Sequence, residues 1–278
     1  MSLNLMYITN NKIIASIAEK NGVDRIFIDM EYIGKEKRQE GMDTVKLRHT
    51  IDDVISIRKT ITDSEILVRV NPIHSKSSYY EDSTDEINRV IDAGADIIML
   101  PMYRTLQEVD KFVKLVDGRA KTILLTETPE ACEIMDEVLD YKAIDELHIG
   151  LNDLHLAYHK KFMFELLADG TVDKICSKIR KSGKQFGFGG IARIGYGLLP
   201  AEYIISEHYR IGSTRAILSR AFCNIEKLQD VEKIEKIFQT EIIRIRNTEQ
   251  VCSKFTDLQF EQIRKIVTVK VEEIISKM

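Results

Sequence analysis

Glu127 and Asp153 are the residues whose type and spacing offer chemistry. Glu127 stands in Ile123-Leu-Leu-Thr-Glu-Thr-Pro129, and Asp153 in Leu147-His-Ile-Gly-Leu-Asn-Asp153. Each follows a short apolar run and precedes a helical pattern. If the two runs are neighbouring parallel strands, both acids stand at the same end of one sheet. Adjacent strands lie about 4.8 Å apart, so two such side chains can grip one cation. Two carboxylates with coordination positions left for substrate suit a Mg²⁺-type ion.

Further charges converge on the same end. Side chains alternate along a strand. In Arg25–Glu31 the residues Phe27, Asp29 and Glu31 share one face, and Ile26, Ile28 and Met30 share the other. The aliphatic face suits a helical layer, which turns Asp29 and Glu31 inward. In Glu65–Asn71 the inward set is Leu67, Arg69 and Asn71, opposite Val68 and Val70. Four acids (Asp29, Glu31, Glu127, Asp153) therefore face one arginine, Arg69. Buried charge must be paired or must coordinate a metal. Protonation of one or two acids is one resolution; a divalent cation is the other, and it is the reading carried forward. Taken singly, each acid also suits a surface position or a helix N-cap, Asp153 above all.

These residues need a scaffold that brings strand ends together. Runs rich in Ile, Val, Leu and Phe alternate with amphipathic helical patterns. The predicted strands are Leu5–Thr9, Arg25–Glu31, Glu65–Asn71, Asp96–Met102, Thr122–Thr126, Glu146–Leu151, Gln185–Gly189 and Ala216–Ser219. Helices are expected over Thr44–Ile61, Thr84–Ala93, Leu106–Val116 and Pro129–Leu139, among others. Gly22, Gly94, Gly183 and Gly212 fall just past helix ends. Pro72, Pro101, Pro129 and Pro200 fall at strand ends or helix starts, outside central strands. Eight such units argue for an α/β fold of the (β/α)8 TIM-barrel class over 1–222, with an open doubly wound sheet as the runner-up. Residues 223–278 read as a C-terminal helical extension of the same domain, with helices over Lys227–Arg246 and Asp257–Met278. In the last helix Phe260, Ile263, Val267, Val271, Ile274 and Ile275 form one stripe. That stripe either covers its own barrel or is exchanged onto a neighbouring subunit, which argues for a homo-oligomer.

The bulk composition removes several classes. The 278 residues are 44% hydrophobic and 30% charged, an ordinary globular balance. A net charge of −4 with both signs interspersed argues against nucleic acid or an anionic membrane as partner. Cys132, Cys176, Cys223 and Cys252 are far apart and show no zinc-ligand spacing. No apolar run approaches a membrane span, and no basic-then-apolar leader opens the chain. A cytoplasmic protein with reduced thiols is expected.

The motifs together resemble the HpcH/HpaI aldolase and citrate lyase β-subunit family, barrels of the pyruvate/phosphoenolpyruvate type. The matching stretches are Gly22-Val-Asp-Arg-Ile-Phe-Ile-Asp-Met-Glu31, Val68-Arg-Val-Asn-Pro72, Asp92-Ala-Gly-Ala-Asp-Ile-Ile-Met-Leu-Pro101, Glu127-Thr and Ile149-Gly-Leu-Asn-Asp-Leu154. The resemblance covers residues 4–222. It implies that Glu127 and Asp153 bind Mg²⁺, Mn²⁺ or another divalent cation. It implies that Arg69 is catalytic and contacts the substrate, and that amides at Asn152 and Asp153 receive a carboxylate. Asp29, Glu31 and Tyr32 are further contributors from the second strand. The implied activity is a metal-dependent carbon–carbon lyase on a small 2-oxo acid, working through a metal-stabilised enolate. The resemblance also implies that the C-terminal helix is exchanged between subunits.

The chain departs from both branches of that family. Tyr32 stands where the aldolase branch places a histidine, and Leu125 where it tends to place a glutamine. Glu31-Tyr32 and Pro101-Met102 depart from the lyase branch. An acyl-CoA or phosphoenolpyruvate-type lyase, and a catalytically silent binding or scaffold barrel, are therefore the alternative readings. Other histidines near the strand ends, His74, His155 and His159, read first as surface or capping residues. Lys35, Lys37 and Arg38 could hold a distant phosphate or carboxylate, or form a solvated loop. Gly187-Phe-Gly-Gly-Ile-Ala192 lies on a seventh strand, so it is not a dinucleotide fingerprint. Close approach to substrate and rim packing are both open for those glycines. Gly212-Ser213 could donate to a substrate anion.

Overall fold

The computed structural model describes residues 2–35, 48–225, 228 and 230–278. Its strands are β1 (Asn4–Ile8), β2 (Arg25–Asp29), β3 (Glu65–Arg69), β4 (Ile97–Leu100), β5 (Lys121–Thr126), β6 (Glu146–Ile149), β7 (Gln185–Ile191) and β8 (Arg215–Leu218). They pair in parallel and in chain order, and β8 closes on β1. All eight expected strands are present, and closure decides against the open sheet.

The connecting helices are α1 (Lys12–Lys20), α2 (Ile51–Arg58), α3 (Ser83–Asp92), α4 (Leu106–Val116), α5 (Pro129–Glu133), α6 (Met135–Leu139), α7 (Leu151–Ala157), α8 (Glu165–Ala168), α9 (Thr171–Ser182) and α10 (Ala201–Ile211). Local chemistry fixes their starts. Thr50 with Asp53 and Thr105 with Glu108 make reciprocal capping boxes on α2 and α4, and Pro129 opens α5 behind a Thr128 cap. The expected helix over Thr44–Ile61 is described from Ile51; residues 44–47, like Lys37 and Arg38, lie outside the described residues. Gly94 adopts φ +102, and a Cβ there would sit 2.9 Å from Arg58 Cγ, so both backbone and packing call for glycine.

Two apolar layers follow from strand alternation. Outward residues such as Ile26, Ile28, Val68 and Val70 pack under the helices. Inward residues Met6, Phe27, Leu67, Ile97, Met99, Ile123 and Leu125 fill the barrel, with Ile8 and Ile217 at its edge. After β8 come α11 (Val231–Cys252) and α12 (Asp257–Ser276). The last helix packs on α10 and α8 of the same chain, with Val267 and Val271 buried. That is the first of the two arrangements the stripe allowed. Among the described residues no helix is long and apolar enough to cross a membrane.

Candidate metal and substrate site

Inward alternation delivers charge at both ends of the barrel. At the C-terminal ends of the strands, Asp29 ends β2 and Arg69 ends β3, directly paired in register. The Arg69 Nε and Nη2 donate to the two Asp29 oxygens at 2.9 and 2.7 Å. This is the fork-on-fork geometry that arginine makes with a carboxylate. Glu31, just past the strand and buried, lies 3.3 Å from Arg69 Nη1. The expected convergence of Asp29, Glu31 and Arg69 is therefore a single ion-paired cluster.

A second cation joins it. The Lys35 Nζ donates to Asp29 Oδ2 at 2.5 Å, with the lysine side chain only 18% exposed. Lys35 is thus neither a solvated loop residue nor a distant phosphate holder. Burial pushes the Asp29 carboxyl up, but Arg69 and Lys35 outweigh it and hold it well below the usual carboxylate range. Burial likewise opposes charge on Arg69, and Asp29, Glu31 and Glu127 overcome that to keep it protonated. The influence of Glu127 on Arg69 places the fifth-strand acid in the same electrostatic neighbourhood.

Glu127 follows β5 and is 2% exposed. Its Oε1 accepts the Met102 backbone N–H at 3.1 Å. Met102 holds φ +53, a left-handed conformation uncommon outside glycine, and its amide meets the carboxylate in that conformation. Tyr103 and Thr128 brace the turn: Thr128 Oγ1 donates to the Tyr103 carbonyl, and the Tyr103 hydroxyl pairs with Thr126 Oγ1. On its other side Glu127 occupies the space that a side chain at residue 150 would need. A Cβ on Gly150 would lie 2.6 Å from Glu127 Oε2. Gly150 is also the N-cap of α7 and supplies no capping side chain. Asn152 and Asp153, both half-buried, follow in the first turn. Asp153 is therefore not the N-cap residue.

The donor chemistry fits a hard divalent ion. Among the described residues no three His, Cys, Asp or Glu side chains gather into a protein-only cage. What the barrel mouth offers is two carboxylates, Glu127 just past β5 and Asp153 in the first turn of α7, a set that leaves positions for water and substrate. Around them, Arg69 pairs with Asp29 and Glu31, and Lys35 with Asp29.

The other residues singled out in the sequence take the following places. Asn71 does not line the barrel centre; its Oδ1 accepts the Tyr32 and Ile33 amides at 2.7 and 2.8 Å, and its Nδ2 donates to Glu86 at 2.8 Å. Tyr32 lies against the Tyr79 ring at 5.1 Å, and burial, then Asp29, pushes its phenol up to about 12. His74 is bound at 2.9 Å to Glu86, and His155 bonds the Leu151 carbonyl within its own helix. The Gly187 position is a packing need, because a Cβ would strike the Arg215 backbone and the His148 ring. Ser213 precedes β8, at the opposite end of the barrel from the mouth, and is bonded to His208 at 2.8 Å.

Sequence reasoning missed His49. Its Nδ1 accepts the Asp29 amide at 2.9 Å, so a neutral ring carries its proton on Nε2, which has no hydrogen-bond partner. Burial lowers its pKa. The signal was the Thr50–Asp53 capping box, which sets His49 immediately before a helix start at the mouth.

Comparisons with known proteins identify the family and the fold. The sequence profile of the HpcH/HpaI aldolase/citrate lyase family matches residues 4–191. By sequence the chain matches none of the curated proteins. Among solved structures it resembles citrate synthase SbnG, with TM-score 0.61 at 14% identity over 84% of this chain and 94% of that one. It also resembles an HpcH/HpaI aldolase from Desulfitobacterium hafniense DCB-2, with TM-score 0.57 at 14% identity over 84% and 93%. A family protein from Burkholderia cenocepacia J2315 gives TM-score 0.58 at 13% identity over 84% and 95%. At these identities the structural likeness speaks for the fold.

Proposed function

Because the chain belongs to the HpcH/HpaI aldolase/citrate lyase family, whose members are lyases that generally depend on a divalent metal, we propose that it is a metal-dependent carbon–carbon lyase, a pyruvate-type class II aldolase acting on a small 2-oxo acid. One observation carries the reading. Buried Glu127 packs on Gly150 one turn ahead of Asp153, at the mouth where Asp29, Glu31 and Arg69 cluster.

In this reading Glu127 and Asp153 hold Mg²⁺ or Mn²⁺, which supplies Lewis acidity toward the keto oxygen of the substrate. Arg69 does the rest of the charge work. Asp29 engages two of its five donors and fixes the plane of the guanidinium; N–H groups remain for a substrate oxygen. Breaking the C3–C4 bond leaves negative charge on that oxygen, and a donor already oriented stabilises it without reorganisation. The amides of Asn152 and Asp153, in a helix start with no capping side chain, receive the carboxylate. Tyr32 stays protonated at neutral pH and serves packing rather than proton transfer. The reading includes a homo-oligomer, which light scattering tests as a mass of at least two chains.

The test is proton exchange. Pyruvate, Mg²⁺ and the protein in deuterated water should lose the methyl proton signal by NMR, and chelation should stop the loss. Metal-dependent oxalate binding without exchange would move the assignment to the phosphoenolpyruvate-type lyase. Neither exchange nor metal binding would leave a silent barrel.

A further inference from the structure

The loops after β7 and β8 carry a basic cavity that the reaction above does not use. It measures about 410 Å³ and is lined by Arg193, Tyr196, Gly197, Arg220, Ala221 and Asn224. Among the described lining residues two are arginines and none is acidic. Both loops leave the C-terminal ends of their strands, so the cavity opens on the same side as the mouth. In barrels of this architecture that position frequently receives a phosphate group.

Arg193 is held ready rather than satisfied. Its guanidinium lies over the Tyr196 ring at 4.2 Å. Stacking uses the face of the group and leaves its edge, where the N–H donors are, for an in-plane partner. The Arg193 Nε is buried and has no hydrogen-bond partner. A buried charged donor without an acceptor is costly, and an oxyanion removes that cost. The loop is shaped around this pair. The Tyr196 amide bonds the Arg193 carbonyl at 2.9 Å, and Gly197 adopts φ +96, where an added Cβ would come within 3.0 Å of the Leu199 carbonyl.

We propose that Arg193 and Arg220 form an oxyanion site for a phosphate-type group at the β7–β8 side of the mouth. Planar guanidinium groups match a tetrahedral oxyanion through paired N–H donors. The ligand is either the distal anionic group of the substrate or a separate phosphate-bearing effector. The first assignment rests on the lyase reading; the site itself does not.

The probe is inorganic phosphate, titrated calorimetrically into the full chain with EDTA present, so that the result is independent of any metal at Glu127 and Asp153. Saturable binding is expected, weakened at least tenfold by Arg193→Gln and also weakened by Arg193→Lys, which keeps the charge but loses the planar fork. Urea midpoints of both variants identify any that fail to fold, and Arg220→Gln then provides the second reading, again weakened. No saturable phosphate binding, or binding unchanged in the folded arginine variants, overturns the site. Phosphate that competes with a phosphorylated aldehyde in aldol turnover, with no effect on an unphosphorylated one, assigns the site to the substrate. Phosphate that alters turnover of both without competing assigns it to an effector; either result retains the site.

Discussion

The two ends of one barrel handle charge in opposite ways. At the N-terminal end, the first residues of five strands form a closed network. The Arg25 guanidinium clasps Glu146 with two bonds of 2.7 Å and reaches Glu65 at 3.0 Å, Lys121 adds a second bond to Glu65, and Arg215 adds another to Glu146. Burial pushes the Glu146 carboxyl up, yet Arg25 and Arg215 bring it down to about 2. Three cations meet two acids, and each acid is engaged by two of them. At the mouth, among the described residues, Arg69 and Lys35 both engage Asp29, and Arg69 also meets Glu31. The floor shares each acid between two cations; the mouth gathers its charge around one arginine and one aspartate. The apolar layer of Phe27, Leu67, Met99 and Ile123 separates them.

The largest effect should come from breaking the floor. Arg25→Met leaves buried Glu146 and half-buried Glu65 with fewer partners and should cost about 3–5 kcal/mol of stability, read from urea denaturation. Arg69→Lys at the mouth should instead lower the pyruvate exchange rate by roughly 10²–10³-fold, with a smaller change in unfolding midpoint. If the two variants exchanged these phenotypes, the contrast between a structural floor and a functional mouth would fail.

A third difference is readable by pH. His148 points into the barrel, and burial lowers its pKa to about 4 from an ordinary 6.5. A depressed histidine is neutral in the folded state while the unfolded chain takes up a proton. Its contribution is complete above about pH 6.5 and is lost as pH falls toward 4. The slope is about 1.4 kcal/mol per pH unit in that window. His148→Gln should remove that slope from the stability profile. The floor carboxylates should add their loss only lower, as pH falls from about 4.5 toward 2.

The account sharpens at Gly150. Its φ of −81 suits alanine, but the added methyl would stand 2.6 Å from Glu127 Oε2. Gly150→Ala should therefore weaken divalent-ion affinity by roughly 10–100-fold while leaving a folded barrel, the size expected when a ligand loses its support. The smallest effect is expected at Tyr32. Tyr32→Phe should change exchange by less than about threefold, whereas removal of a true general acid or base costs roughly 10²–10⁴-fold.

Much of this was legible in the sequence for a simple reason. A two-residue period and apolar outward faces decide which side of a strand points inward, so alternation alone places Asp29 and Arg69. The same rule applied to Arg25, which shares a face with Phe27 and Asp29, and so the floor was there to be read as well. What alternation does not carry is anything past a strand's last residue. Asn71 looked inward by parity but lies beyond β3, where its side chain ties loops together. Lys35 appeared as one of a basic run, because chain position alone does not say which cation folds back onto Asp29. Met102 contributes an amide, which depends on a backbone angle and not on residue type.

The central claim is that Glu127 and Asp153 complete the mouth by holding a divalent ion. Manganese titration followed by electron paramagnetic resonance tests it most directly, because free and bound Mn²⁺ are counted without any substrate. The account predicts one saturable site per chain in the wild type, lost in Glu127→Gln and in Asp153→Asn but retained in Arg25→Met if that variant folds. Binding that is absent from the wild type, or that survives both carboxylate substitutions unchanged, would contradict it.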